Sequence, residues 1–172
     1  MLKSAARFSV ELKTILGHGD KDHIFAPALA LFPSALARDA ITFPLCNTNK
    51  ITIEHLMANK GCAPENCYCA IFALDPFIDW EEFSGLLHKA KFRGICNFPS
   101  FPGFDEEETD ALSASDYRYE TELKRIKSYA GDQFKMLIVY SSDDQLELSR
   151  KMIDDGKAHY CHANRIADLP AS

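Results

Sequence analysis

Four short apolar runs in this chain are each followed by polar residues able to bind a ligand or move a proton. YCAIFAL (68–74) leads into Asp75-Pro76-Phe77. GICNF (94–98) carries Asn97 near its end, and the loop after it reaches Asp105. MLIVY (136–140) leads into Ser141, Ser142 and Asp143, and KAHYC (157–161) into His162, Asn164 and Arg165. If the runs are parallel strands, these residues stand on one rim, where parallel α/β sheets bind their ligands. Carboxylates from Asp75 and Asp105, completed by water and a substrate oxygen, suit Mg2+ or Mn2+. A histidine at position 162 suits acid–base work.

Each residue also has a plainer role open to it. Asp75 precedes a proline and can shape a turn. Asn97 can satisfy backbone groups at a strand end. Asp105 begins an acidic run of the kind that forms a solvated face, and Ser142 fits a helix cap. Cys62, Cys67 and Cys69 lack the spacing of a zinc ribbon, and Cys69 falls inside an apolar run. His159 and His162 are an odd number of residues apart and face opposite ways along a strand. The loop GHGDKDH (17–23) holds His18, Asp20, Asp22 and His23, but it is neither a P-loop nor a complete dinucleotide fingerprint. No Gly-x-Ser-x-Gly elbow is present.

The elements that position the rim follow from periodicity and punctuation. The continuous apolar runs fit strands buried on both faces. Between them, Asp79 with Glu82 and Ser142 with Gln145 have capping-box spacing. Gly94 and Gly131 read as helix stops, and Gly156 ends the last helix. A helix from about Asp116 has Tyr119, Leu123, Ile126 and Ala130 on its inner face. The alternation predicts a parallel sheet with right-handed crossovers. The N-terminal third is harder to read. IFAPALALF (24–32) fits strand or helix, and a helix opens at Thr48 or Asn49 and runs to Asn59. Ala5, Phe8, Leu12 and Ile15 share a helical face, which predicts an N-terminal helix over about 3–16.

At 172 residues the chain fits one α/β domain, 1–172, with a barrel-like part over about 43–165. At most six strands are visible, fewer than an eight-stranded barrel needs. The expected architecture is an incomplete or reduced TIM-barrel-like sheet, with an open flavodoxin-like sheet as the alternative. Open edges call for a homo-oligomer or a partner chain. The composition, 47% hydrophobic and 26% charged, is that of a globular chain. The net charge of −6 is concentrated between Asp105 and Glu122, which would repel a phosphate backbone and disfavours nucleic acid. The six cysteines, several in apolar runs, point to a reducing compartment. With no long apolar run and no secretory signal, the expectation is a cytoplasmic protein without membrane association. The basic, amphipathic start keeps an organelle matrix as the alternative.

Several of these residues also carry a family resemblance. LDPFIDWEEFSGLLHKAKFRGICNFPS resembles the phosphoenolpyruvate hydrolase-like TIM-barrel family, within the wider phosphoenolpyruvate/pyruvate superfamily. The matching features are the turn Asp75-Pro76-Phe77 and the strand end from Gly94 through Asn97-Phe98-Pro99-Ser100. Gly103, Asp105, Tyr117 and Glu120 follow in the family's order, and Pro44, Asn49 and Glu54 are in step upstream. The resemblance covers about residues 43–156. It implies a barrel using a divalent metal on a small oxo-acid or its phospho or phosphono derivative. In that case Asp75 and Asp105 would hold the metal, Asn97 would orient the substrate, and His162 or Glu120 would move a proton. The family's glycine-rich first strand has no counterpart, His162 lies one position off, and only 8 glycines are present. These departures imply a reduced relative, either a metal-assisted hydrolase or lyase or a non-catalytic ligand-binding or regulatory subunit.

Overall fold

A computed structural model of the chain describes residues 6–15, 21–33, 47–58, 61–100, 118–154 and 156–167. Seven strands form one sheet: β1 (Ala6–Ser9), β2 (Asp22–Phe25), β3 (Cys67–Ile71), β4 (Gly94–Asn97), β5 (Lys135–Tyr140), β6 (Ala158–His162) and β7 (Ile166–Ala167). Among the described residues four α-helices lie between them: α1 (Thr48–Ala58), α2 (Trp80–Lys89), α3 (Tyr119–Ala130) and α4 (Asp143–Met152). Every ladder is parallel, and the order is β6-β5-β4-β3-β2-β1-β7.

From β1 to β6 the strands are added in sequence order, with no reversal. A flavodoxin-like sheet needs a reversal to place helices on both faces, so the open alternative does not apply. The sheet is also curled. β6 and β7 are at opposite ends of the order, yet only three residues, Ala163–Arg165, lie between them. Four virtual bonds span at most about 14 Å, whereas six strand spacings in a flat sheet span about 29 Å. Side chains on the concave face meet accordingly. The rings of Phe8 in β1 and Phe98 just after β4 are 4.5 Å apart between centroids, where three flat spacings would give about 14 Å. The result is an α/β fold with an open, barrel-like sheet.

Alternation along the strands separates two apolar layers. The concave face gathers Ala6, Phe8, Ile24, Tyr68, Ala70, Cys96, Leu137, Val139, Cys161 and Ile166. The opposite face meets the helices through Phe25, Cys69, Ile71, Ile95, Met136, Ile138 and Tyr140, against Phe83, Leu87, Leu123, Ile126 and Leu146. Fully burying one such large side chain contributes about 1.5–3 kcal/mol, so these layers dominate stability.

Two expected helix caps are present. Asp79 Oδ1 accepts from Glu82 N at 3.0 Å, and Ser142 Oγ from Gln145 N at 3.3 Å. Gly131 ends α3 at φ 51°. Other expectations are corrected. Within the stretch 3–16 expected to be an N-terminal helix, the described residues 6–15 form β1 followed by a single 3-10 turn, Leu12–Thr14. Phe8 and Ala6 are buried in the concave layer two residues apart, a period-2 pattern that outweighs the helical spacing of Ala5, Phe8, Leu12 and Ile15. The barrel-like sheet therefore already includes Ala6–Ser9, well before residue 43. The 24–32 run is divided at Ala26 between β2 and a 3-10 helix, Pro27–Leu31. Gly94 does not stop a helix; Lys91, at φ 59°, turns the chain after α2. Gly94 is needed in β4 because a Cβ there would lie 2.5 Å from Tyr68 Cε1. On its outer side β1 is paired with β7, so the chain itself covers an edge for which the sequence suggests a partner.

Candidate functional site

The C-terminal end of β4 carries the densest polar cluster. The chain leaves the sheet at Phe98–Pro99, a cis peptide, while β5 continues to Tyr140. Val139 still presents its backbone N–H and C=O toward the missing strand. The carboxamide of Asn97 meets both: Val139 N donates to Asn97 Oδ1 at 2.7 Å, and Asn97 Nδ2 donates to Val139 O at 3.2 Å. The side chain thus replaces a strand peptide, as buried backbone groups require.

Behind Asn97 lies Glu122, fully buried in α3. Glu122 Oε1 accepts from Asn97 Nδ2 at 2.5 Å and from Ser100 Oγ at 2.6 Å. Tyr119 Oη donates to Val139 O at 2.8 Å and is 2.9 Å from Ser149 Oγ on α4. Burial pushes the Tyr119 phenol far up, although its Ser149 bond works the other way. These groups lie between the sheet and α3 and α4, because Cys96 and Phe98 take the concave face and Asn97 alternates with them.

Glu122 was missed by sequence reasoning, which selected Glu120. Glu120 is exposed and pairs with Lys124 at 2.7 Å, one turn along the same helix. The signal for Glu122 was available: it lies three residues after Tyr119 and four before Ile126, on the inner stripe. An acidic residue on that stripe requires buried partners.

A second carboxamide performs the same task at the end of β3. Phe72 N donates to Asn49 Oδ1 at 3.0 Å, and Asn49 Nδ2 donates to Phe72 O at 3.0 Å. The same Nδ2 donates to Asp75 Oδ2 at 3.0 Å, and Phe77 N donates to Asp75 Oδ1 at 2.9 Å. Asp75 is 9% exposed and Phe77 88%. Asp75 therefore shapes the turn before α2 and receives α1, while keeping an edge toward solvent.

His162 lies on the helix-facing side of β6, its ring edge-on to Tyr140 at 5.2 Å. Its Nδ1 accepts from Asn164 N at 3.1 Å and caps the 3-10 turn that follows. No described hydrogen bond or ion pair joins Asp75, Asn97 and His162 to one another, and each makes local bonds of its own. Asp105 lies outside the described residues, as do Gly103, Tyr117 and Pro44.

Among the described residues no three His, Cys, Asp or Glu side chains are grouped to hold a metal ion. Of the two expected metal ligands, Asp75 alone is described, and it does not by itself make a protein cage. Cys67 and Cys69 are buried, and burial pushes their thiols well up, so they act as packing groups. Asp22 and His23 from the 17–23 stretch belong to β2, where His23 is buried with Nδ1 3.2 Å from Ser9 Oγ. The described residues include no helix long and apolar enough to cross a membrane. No family model matches the sequence, and no curated protein matches it.

Proposed function

We propose that this chain is a reduced member of the phosphoenolpyruvate hydrolase-like barrel family that serves as a non-catalytic ligand-binding or structural subunit. One observation carries this reading. Asn97 and Glu122 are 0% exposed and committed to the backbone at Val139. A carboxamide sealed under the sheet and used as a substitute peptide is not available to orient a substrate. The curled, sequentially wound sheet supports the barrel ancestry, with Asp75 and Asn97 at the ends of β3 and β4. As a subunit the chain self-associates or meets a partner, and Phe77 is an apolar contact such a partner would cover. Sizing with light scattering at high concentration tests this part; a strictly monomeric species rejects it.

The second reading is a metal-assisted hydrolase or lyase acting on a small oxo-acid or its phospho or phosphono derivative. It is favoured by Asp75, which sits on the rim with one described bond to each oxygen. Each oxygen retains acceptor capacity, and Mg2+ is often held by only one or two carboxylates. One titration separates the readings. The protein is melted with Mg2+ or Mn2+, alone and with phosphoenolpyruvate, phosphonopyruvate, pyruvate, oxaloacetate or oxalate, against EDTA. A ligand at a hundred times its Kd adds about 2.7 kcal/mol of stability. A shift requiring both metal and acid, followed by multiple turnovers, establishes the enzyme. A shift without turnover, or none, supports the subunit.

A further inference from the structure

At the mouth opposite the rim, three strands are joined through one imidazole nitrogen. Asp22 opens β2, Tyr68 is the second residue of β3 and His159 the second of β6. β2 and β6 are separated by three other strands in the sheet order, yet His159 Nδ1 is 3.4 Å from Asp22 Oδ2 and 3.1 Å from Tyr68 Oη. The side chains meet because the sheet curls. Gly94 leaves the space that the Tyr68 ring occupies over β4.

The two partners ask opposite things of that nitrogen. A bare Nδ1 on a neutral ring accepts the Tyr68 hydroxyl. A protonated Nδ1 donates to the Asp22 carboxylate, with charge on both sides. Around them, Lys135 of β5 shares the concave side by alternation with Leu137. Lys157, just before β6, is held by Asp132, and Lys21 next to Asp22 is exposed. Cys161, two residues on from His159, and Cys96 of β4 are buried thiols. The Asp22 and His159 side chains are 15% and 54% exposed, so water and protons reach the cluster.

We propose that Asp22, Tyr68 and His159 form a proton-sensitive clasp across the N-terminal mouth. It passes from Tyr68 to Asp22 as His159 takes up a proton, and tightens β6 against β2.

Amide hydrogen exchange at Cys161, corrected for intrinsic rates, reads the clasp at about pH 5.5 and about pH 8. The wild type should gain roughly two- to five-fold protection at the lower pH, the scale of a partly exposed ion pair. Asp22→Asn should abolish the gain. Tyr68→Phe, which removes only the partner of the neutral ring, should enlarge it. His159→Gln, at a half-exposed position, provides a variant that folds independently of the other two. If Asp22→Asn and His159→Gln both keep the wild-type ratio, or if Tyr68→Phe removes it, the proposal is wrong.

Discussion

The ends of β3 and β4 solve the same problem with the same parts and differ in how tightly they are closed. In each, an asparagine carboxamide takes the place of an absent strand, Asn49 on Phe72 and Asn97 on Val139, and a carboxylate accepts from its NH2 group. At β3 the carboxylate is local: Asp75 follows the strand and also shapes the next turn. At β4 it comes from α3, and Glu122 binds the strand end, Ser100 and the helix in one buried cluster. The comparison teaches that a polar residue at a strand end can be fully accounted for by the backbone groups it satisfies. The two clips differ in degree of enclosure: Asp75 is 9% exposed and Glu122 0%.

The most disruptive change separating the two ends is Asn97→Ala. It strands Val139 and Glu122 without their amide partner, and chemical denaturation should show a loss of about 3–5 kcal/mol. Asn49→Ala removes the matching bonds to a backbone that is only partly buried at Phe72 and leaves Asp75 its bond from Phe77 N; the expected loss is about 1–2 kcal/mol. Equal losses would show that burial does not distinguish the clips. Tyr119→Phe, which deletes one hydroxyl beside Val139, should cost about 1–1.5 kcal/mol. Glu120→Gln should stay within about 0.5 kcal/mol, since its pair with Lys124 is exposed. A larger effect would return Glu120 to the list of working residues.

The buried acids without counter-charges add a pH prediction. The thiols of Cys67, Cys69 and Cys96 and the phenol of Tyr119 are pushed up chiefly by burial. In the unfolded chain these groups lose protons first, so folding stability should be fully present below about pH 8.5 and fall as pH rises past the unfolded values. Denaturant midpoints measured from neutral to alkaline pH check the sign. A flat profile to about pH 10 would mean the thiols are less enclosed than the packing around them implies.

Much of the C-terminal two-thirds was legible because its signals are local and agree. Apolar runs of strand length, the caps at Asp79 and Ser142, and Gly131 all mark elements the structure contains. The N-terminal strand was not legible. Four residues of β1 are too short to establish a period, and their burial depends on β7 and β2, which are remote in sequence. Asn97 and Asp75 could be placed at strand ends, but not the direction their side chains take. That direction is set by the strand alternation through Cys96 and by where β4 leaves the sheet. Glu122 was legible in principle, from its place on the inner stripe of α3, and its neighbour Glu120 drew the choice through motif matching.

The β1–β7 ladder pairs Ala6 with Ile166, 160 positions later. During synthesis from the N-terminus, β1 can find β2 early, but its other side has to wait until nearly the whole of this stretch has left the ribosome. Contacts of such long sequence separation slow folding and lengthen the exposure of an uncovered strand. Of the ladders in this sheet, the last to form is thus the one that shields β1. A nascent chain stalled before Ile166 should engage chaperones far more than one released a few residues after it.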